Sequence, residues 1–174
     1  TGNPYDLAID GRGFFQVLLP SGETAFTRAG NLSLSPDGQM VTEDGYPIQP
    51  AITVPGDATS IAVSKTGQVH AIRAGQTEAE VVGQIELATF VNEAGLEAIG
   101  DTPLMETAAS GPANVGAPGG VGFGQLMQGY TEASNVDAVT EITALIVAQR
   151  AYEMNSKVIS AADEMLRAAN SVKG

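Results

Sequence analysis

The chain has 174 residues, a net charge of −12 at pH 7, and no cysteine from which a disulfide framework could form. A hydrophobic content of 43% excludes wholesale disorder, and no apolar run approaches the roughly 18 residues of a membrane span. Residues 1–135 hold fifteen acidic and four basic residues, a net charge of −11 that argues against binding to nucleic acid or an anionic membrane.

Residues 1–100 have the pattern of a β-rich body. The stretches 14–19 and 24–28 flank a Pro-Ser-Gly turn and predict a hairpin. Turns that contain glycine also lead into the short apolar stretches 40–42 and 69–71. Many short strands with closely spaced turns and no helical period indicate a mainly β body built from short antiparallel strands and hairpins.

A further strand is predicted towards the end of this body. Ile85, Leu87, Thr89 and Val91 alternate with other residues and would therefore share one face of a half-buried strand. A body of this size can build one modest hydrophobic core.

Residues 101–133 are predicted to form an extended connector rich in glycine and proline. Residues 110–124 hold eight glycines or prolines in fifteen positions, so we expect no regular element there. Four apolar residues at the end of this stretch are expected to dock against a neighbouring molecule: Phe123, Leu126, Met127 and Tyr130.

Residues 134–174 are predicted to form one long C-terminal helix. Ser134 or Asn135 can cap its first turn, and Gly174 supplies a stop. No glycine or proline interrupts the residues between them, so the helix would extend for about 58 Å. Such a length suits a column better than a globule.

Apolar residues form two rows along this helix, about 120° apart at 100° per residue. The heptad row comprises Leu145, Tyr152, Ile159 and Leu166, and the valine–methionine row runs from Val147 to Val172. A pair of helices needs only one narrow stripe, so two rows indicate packing against at least two neighbouring helices. The alternative is a helix that folds back on its own domain. The residues predicted to pack between subunits are Val136, Val139, Ile142, Leu145, Val147, Tyr152, Met154, Val158, Ile159, Met165 and Leu166.

Motifs of catalytic chemistry are absent from the sequence. His70 is the only histidine and lies in a strand pattern, so a structural or exposed histidine is favoured over a metal ligand or catalytic base. No nucleophile elbow, zinc-protease motif or phosphate-binding loop is present. We therefore expect no catalytic residues, cofactor or metal, and no enzyme. The alternative from a different class is a soluble module that binds or cleaves cell-wall glycan through a pair of its many carboxylates.

Several segments resemble the bacterial flagellar rod and hook family. The motif DLAIDGRGFFQV at residues 6–17, with TRAGNLSL at residues 27–34, is similar to a motif shared by proximal rod, distal rod and hook proteins. The segments GLEAIGDTPLMETAASG at residues 95–111 and QRAYEMNSK at residues 149–157 resemble the distal-rod branch more specifically. The proximal rod and the hook remain alternatives within the family.

This resemblance implies a rigid helical homopolymer that acts as a drive shaft and transmits torque to the hook. Terminal helices would form its inner layer around a channel, and β domains its outer layer. It further implies export by the flagellar type III apparatus, a place in the rod that spans the periplasm, and contacts with neighbouring rod and hook proteins and the surrounding rings. Family members have an N-terminal helix and an extended segment before the position of Thr1, so we expect this chain to lack that part.

Overall fold

The computed structural model describes residues 1–133 and 138–173, with only the backbone described at residues 138–142. The chain divides into two compact units, Thr1–Glu132 and Ala133–Gly174. The first unit is built from short strands that pair antiparallel, and the second contains a long helix. The prediction of a mainly β body followed by a C-terminal helix is confirmed.

Fourteen strands and one α-helix make up the regular structure of the described residues, with a single 3₁₀ turn at Glu93–Gly95. In chain order they are β1 (Leu7–Asp10), β2 (Phe14–Leu18), β3 (Thr24–Thr27), β4 (Leu32–Leu34), β5 (Met40–Thr42), β6 (Ile48–Gln49), β7 (Ala58–Val63), β8 (Gln68–Arg73), β9 (Glu80–Gln84), β10 (Leu87–Thr89), β11 (Glu97–Ala98), β12 (Leu104–Met105), β13 (Asn114–Gly116), β14 (Gln125–Gln128) and α1 (Ala138–Val172).

The main sheet has seven strands and is centred on β2. Its order is β11-β12-β3-β2-β10-β13. The short strand β6 also pairs with β2, at Gln16 and Val17. The predicted hairpin of β2 and β3 is confirmed, with Val17 opposite Ala25. Phe14, Phe15 and Val17 of β2 are all buried, because the strand is covered on both faces.

Three smaller sheets complete the first unit. β4 pairs with β5, and β7, β8 and β9 form a three-stranded sheet. β1 pairs with β14, with Leu7 opposite Gln128, so strands far apart in the sequence lie side by side. The largest core cluster connects these sheets; it includes Leu7, Ile9, Phe15, Val17, Leu32, Met40, Ile48, Ile52, Val69, Ile85, Leu87 and Leu126.

The structure differs from the sequence prediction between residues 101 and 133. This stretch contributes β12, β13 and β14 to the first unit, so the expectation that residues 110–124 hold no regular element is wrong. Leu126 is only 1% exposed, so the expectation that it docks against a neighbouring molecule is wrong. Phe123 is half-buried and packs against the core of its own unit. Met127 and Tyr130 are exposed.

Close backbone packing explains the glycine content of this stretch. A Cβ at Gly124 would lie 2.7 Å from the carbonyl oxygen of Asp10, and one at Gly116 would lie 2.6 Å from the ring of Phe123. Real Cβ atoms do not approach neighbours this closely, so both positions need glycine for space. Gly116 and Gly124 thus serve close packing within the body, whereas composition alone favours an extended connector.

The strand predicted around residues 85–91 is shorter and more buried than expected. β10 covers only Leu87–Thr89, and all three residues are buried. Leu87 packs in the largest core cluster and Ala88 in a second cluster with Phe14, Phe26 and Phe90, so both faces of the strand are covered. Val91 is 92% exposed and does not share the buried face of Leu87. The half-buried interpretation is wrong because apolar residues pack against both faces of the strand.

The helix α1 has 35 residues, which corresponds to about 52 Å. Its predicted start at Ser134 or Asn135 lies outside the described residues. Within the described part of the chain, no helix has the length and apolar character needed to cross a membrane.

Candidate assembly surface

The heptad row of α1 is open to solvent. Leu145, Tyr152, Ile159 and Leu166 are between 64% and 75% exposed. Successive members are seven residues apart, which is about 20° short of two full turns, so they form one slowly turning stripe. Four large side chains on one stripe form a continuous apolar ridge.

The valine–methionine row is equally open. Val147, Met154, Val158 and Met165 are between 61% and 74% exposed. Methionine is unbranched and adapts its shape to an irregular partner, whereas valine is stiff. The two rows therefore differ in character: large side chains at regular intervals in one, smaller or more adaptable ones in the other.

The remaining predicted packing residues fall partly outside the description. Val136 lies outside the described residues, and Val139 and Ile142 lie in α1 without a description of their side chains. Ile146, 45% exposed, is a further exposed apolar residue of α1 that belongs to neither row. It follows Leu145 directly and therefore projects about 100° away, towards the polar arc, where no periodic signal would identify it.

An exposed apolar arc of this width has a clear physical consequence. Moving a large apolar side chain from water into a packed interface is worth about 1.5 to 3 kcal/mol. Monomeric soluble proteins rarely expose a contiguous apolar patch larger than a few hundred Å², so larger patches mark interaction sites. This face of α1 can bind other helices whose apolar residues repeat with the same spacing. The role of the individual residues in packing between subunits stays a prediction.

The residues considered for chemistry do not form a comparable site. Glu43, Asp44 and Tyr46 line a cavity of about 60 Å³, a space for small groups such as water. His70 is half-buried in β8. Within the described ranges, no three His, Cys, Asp or Glu side chains are grouped so as to hold a metal ion.

Comparison with known families gives two matches that together cover more than half of the chain. The family described as the flagellar hook protein FlgE/F/G D1 domain matches residues 8–71. The family described as the flagellar basal body rod FlgEFG protein C-terminal matches residues 127–172. The second match covers the last two residues of β14 and all of α1.

Relatives with known names agree with these matches. The flagellar basal-body rod protein FlgG of Caulobacter vibrioides is 63% identical over 99% of this chain and 66% of its own length. The FlgG proteins of Agrobacterium fabrum and Bacillus subtilis are 50% and 42% identical, over 95% and 96% of the chain and 63% and 64% of their lengths. FlgF of Caulobacter vibrioides is 38% identical. The chain thus spans just under two thirds of the length of these relatives.

Proposed function

The chain belongs to the flagellar hook and basal-body rod family, and from this we propose that it is a structural subunit of the distal rod. Many copies would polymerise into a rigid tube that transmits torque to the hook. The observation that carries this proposal is the wide, exposed apolar arc of α1. A long helix with two uncovered rows supports contacts to more than one neighbouring copy.

The choice of the distal rod within the family rests on sequence. In one organism, Caulobacter vibrioides, identity is 63% to FlgG and 38% to FlgF. The segments 95–111 and 149–157 also resemble the distal-rod branch. These observations favour the distal rod over the proximal rod and the hook.

The mechanism is mechanical. Each large side chain of α1 that becomes buried between copies would contribute about 1.5 to 3 kcal/mol, and contacts repeated along the helix would resist both bending and sliding. Strands and turns of the first unit would form the outer surface of the tube. We propose a homopolymer that meets other rod and hook proteins at its ends, lies within the basal body, and carries out no enzymatic reaction.

Electron microscopy of the full-length protein tests this proposal. We expect tubes from the unaltered protein and none from the variant L145D/Y152D/I159D/L166D, because four carboxylates on the heptad row cannot be buried without partners. The control, Q149D/S160D/R167Q/S171D, makes the same change in net charge on the polar arc and should still form tubes.

The outcomes separate the classes of function. Tubes from the first variant would refute the role assigned to the heptad row. Compact monomers or closed dimers of the unaltered full-length protein, under all solution conditions, would refute the polymer and favour a soluble module. Circular dichroism of both variants checks that the β unit remains folded, as we expect.

A further inference from the structure

Arg28 collects hydrogen-bond acceptors from two distant segments of the first unit. Its Nη1 donates to the carbonyl oxygens of Gly11 and Gly13, both at 2.9 Å, and its Nη2 donates to the carbonyl oxygen of Ile9 at 3.2 Å. Its Nε donates to the carboxylate of Glu132 at 2.7 Å. One guanidinium group therefore joins the loop after β1 to the last residue of the unit.

Only arginine can make this set of bonds. The guanidinium is a planar fork with five donors in fixed directions, whereas lysine has a single ammonium on a flexible stem. Gly11 and Gly13, whose carbonyl oxygens accept from Arg28, adopt φ values of +117° and +138°, which other residues rarely adopt. The Arg28 guanidinium carbon also lies 5.9 Å from the ring centroid of Phe14, within range of a cation–π contact.

Glu132 occupies a special place in the chain. It is the last residue of the first compact unit, and the chain continues from it into the second. Among the described residues of the first unit, Gly129 is the last whose backbone is hydrogen-bonded: its amide donates to the carbonyl oxygen of Asp6 at 2.7 Å, and its carbonyl oxygen accepts from the amide of Gly2 at 3.3 Å. The ion pair with Arg28 extends the attachment three residues further, to the point of exit.

We propose that Arg28 is a positioning residue that anchors the exit of the chain from the β unit by clamping Glu132 to the loop at Ile9–Gly13. A mechanical force transmitted along the backbone through residue 133 is then carried first by the contact between Glu132 and Arg28. Without this contact, the same force would act first on the C-terminal end of β14.

The geometry explains why this difference matters. β14 is held by an antiparallel ladder to β1, from Leu7 opposite Gln128 to Asp10 opposite Gln125. A pull on its C-terminal end loads these bonds one after another, starting at Gln128, because only the outermost pair carries the force at any time. Arg28 distributes the same pull over three carbonyl groups of another segment. The role in carrying load rests on the proposed function, whereas the clamp itself does not.

Hydrogen–deuterium exchange of the full-length protein in its unassembled form tests the clamp. Glu132→Gln keeps the size of the side chain and removes its charge. We expect exchange at Gly129 and along β14 to become about two- to fivefold faster, because a partly exposed ion pair has a modest effect and opening is local. Exchange in β2 and β3 should not change.

The chain offers a matched control. Glu80 pairs with Arg73 at 3.1 Å, and the side chains of Glu80 and Glu132 are both about half exposed, at 55% and 42%. Glu80→Gln removes one carboxylate charge away from the exit and from the clamped loop, and should leave exchange in β14 unchanged. Equal effects of the two variants on β14, no effect of Glu132→Gln, or an equal increase in β2 and β3 would each overturn the proposal.

A second measurement uses the absence of cysteine from the chain. A single spin label on Ala133→Cys reports the mobility of the residue that follows the anchor. We expect greater mobility with Glu132→Gln or Arg28→Lys, and no change with Glu80→Gln. An unchanged spectrum in both anchor variants would overturn the clamp. Neither readout depends on tubes, so failure of the polymer proposal would be seen separately.

Discussion

Gly30 is the position at which a single added methyl group should do most damage to the β unit. A Cβ built there would lie 1.6 Å from the carbonyl oxygen of Leu7, 2.8 Å from its carbonyl carbon and 3.1 Å from the ring of Phe15. Leu7 and Phe15 are both almost fully buried. Gly30→Ala therefore forces two core elements apart.

The size of the effect follows from what must move. Restoring an ordinary separation of about 3.2 Å between the Cβ and the Leu7 oxygen needs a shift of about 1.5 Å. That shift strains the bond from the amide of Leu7 to the Gly30 oxygen, now 2.8 Å long. A lost buried hydrogen bond costs about 1 to 3 kcal/mol and an overpacked core about 1 to 3 kcal/mol. We expect Gly30→Ala to lower the free energy of unfolding by about 3 to 5 kcal/mol.

Denaturant unfolding and thermal melting of the full chain measure this loss. A decrease of this size should lower the Tm of the β unit by about 10 °C or more. Gly56→Ala is the control, because a Cβ there has nothing within 4 Å. The control should change stability little or raise it by a few tenths of a kcal/mol, since alanine restricts the unfolded chain. A loss below about 1 kcal/mol for Gly30→Ala would refute the packing argument.

Two further predictions concern assembly of the full-length protein. Met154 and Met165, 68% and 74% exposed, should be oxidised readily by peroxide before assembly and protected within tubes, with buried Met40 as an internal reference in mass spectrometry. Equal oxidation in both states would show that the valine–methionine row is not covered. Raising NaCl from about 20 mM to about 200 mM should lower the protein concentration needed for tubes, because the net charge of −11 on residues 1–135 makes copies repel and salt screens that repulsion. Sedimentation measures this concentration, and an increase with salt would contradict the electrostatic argument.

Local patterns in the sequence were sufficient to predict much of the fold. The hairpin of β2 and β3 has an unmistakable turn between two apolar stretches, and α1 has a periodic pattern with no helix breaker. In both cases the partner of each residue is near in sequence or on the same element. The apolar rows of the candidate assembly surface were identified for the same reason.

The strands of residues 101–132 could not be recognised in this way. β14 pairs with β1 more than a hundred residues earlier, and its buried residue, Leu126, is followed directly by the exposed Met127, so no alternation of apolar and polar residues marks the strand. Gly124 is needed because the backbone of Gly11 lies against it, which no local pattern reveals. Short strands in a glycine-rich stretch therefore depend on long-range contacts that only the folded chain displays.

The pairing of β1 with β14 also bears on how such a unit can change over evolution. Since its first and last strands are neighbours, the two ends of the unit lie side by side. Extra residues in a distant turn, such as the exposed residues 75–79 between β8 and β9, would enlarge the unit without altering that strand pair. The turn is therefore a natural place for a reporter tag.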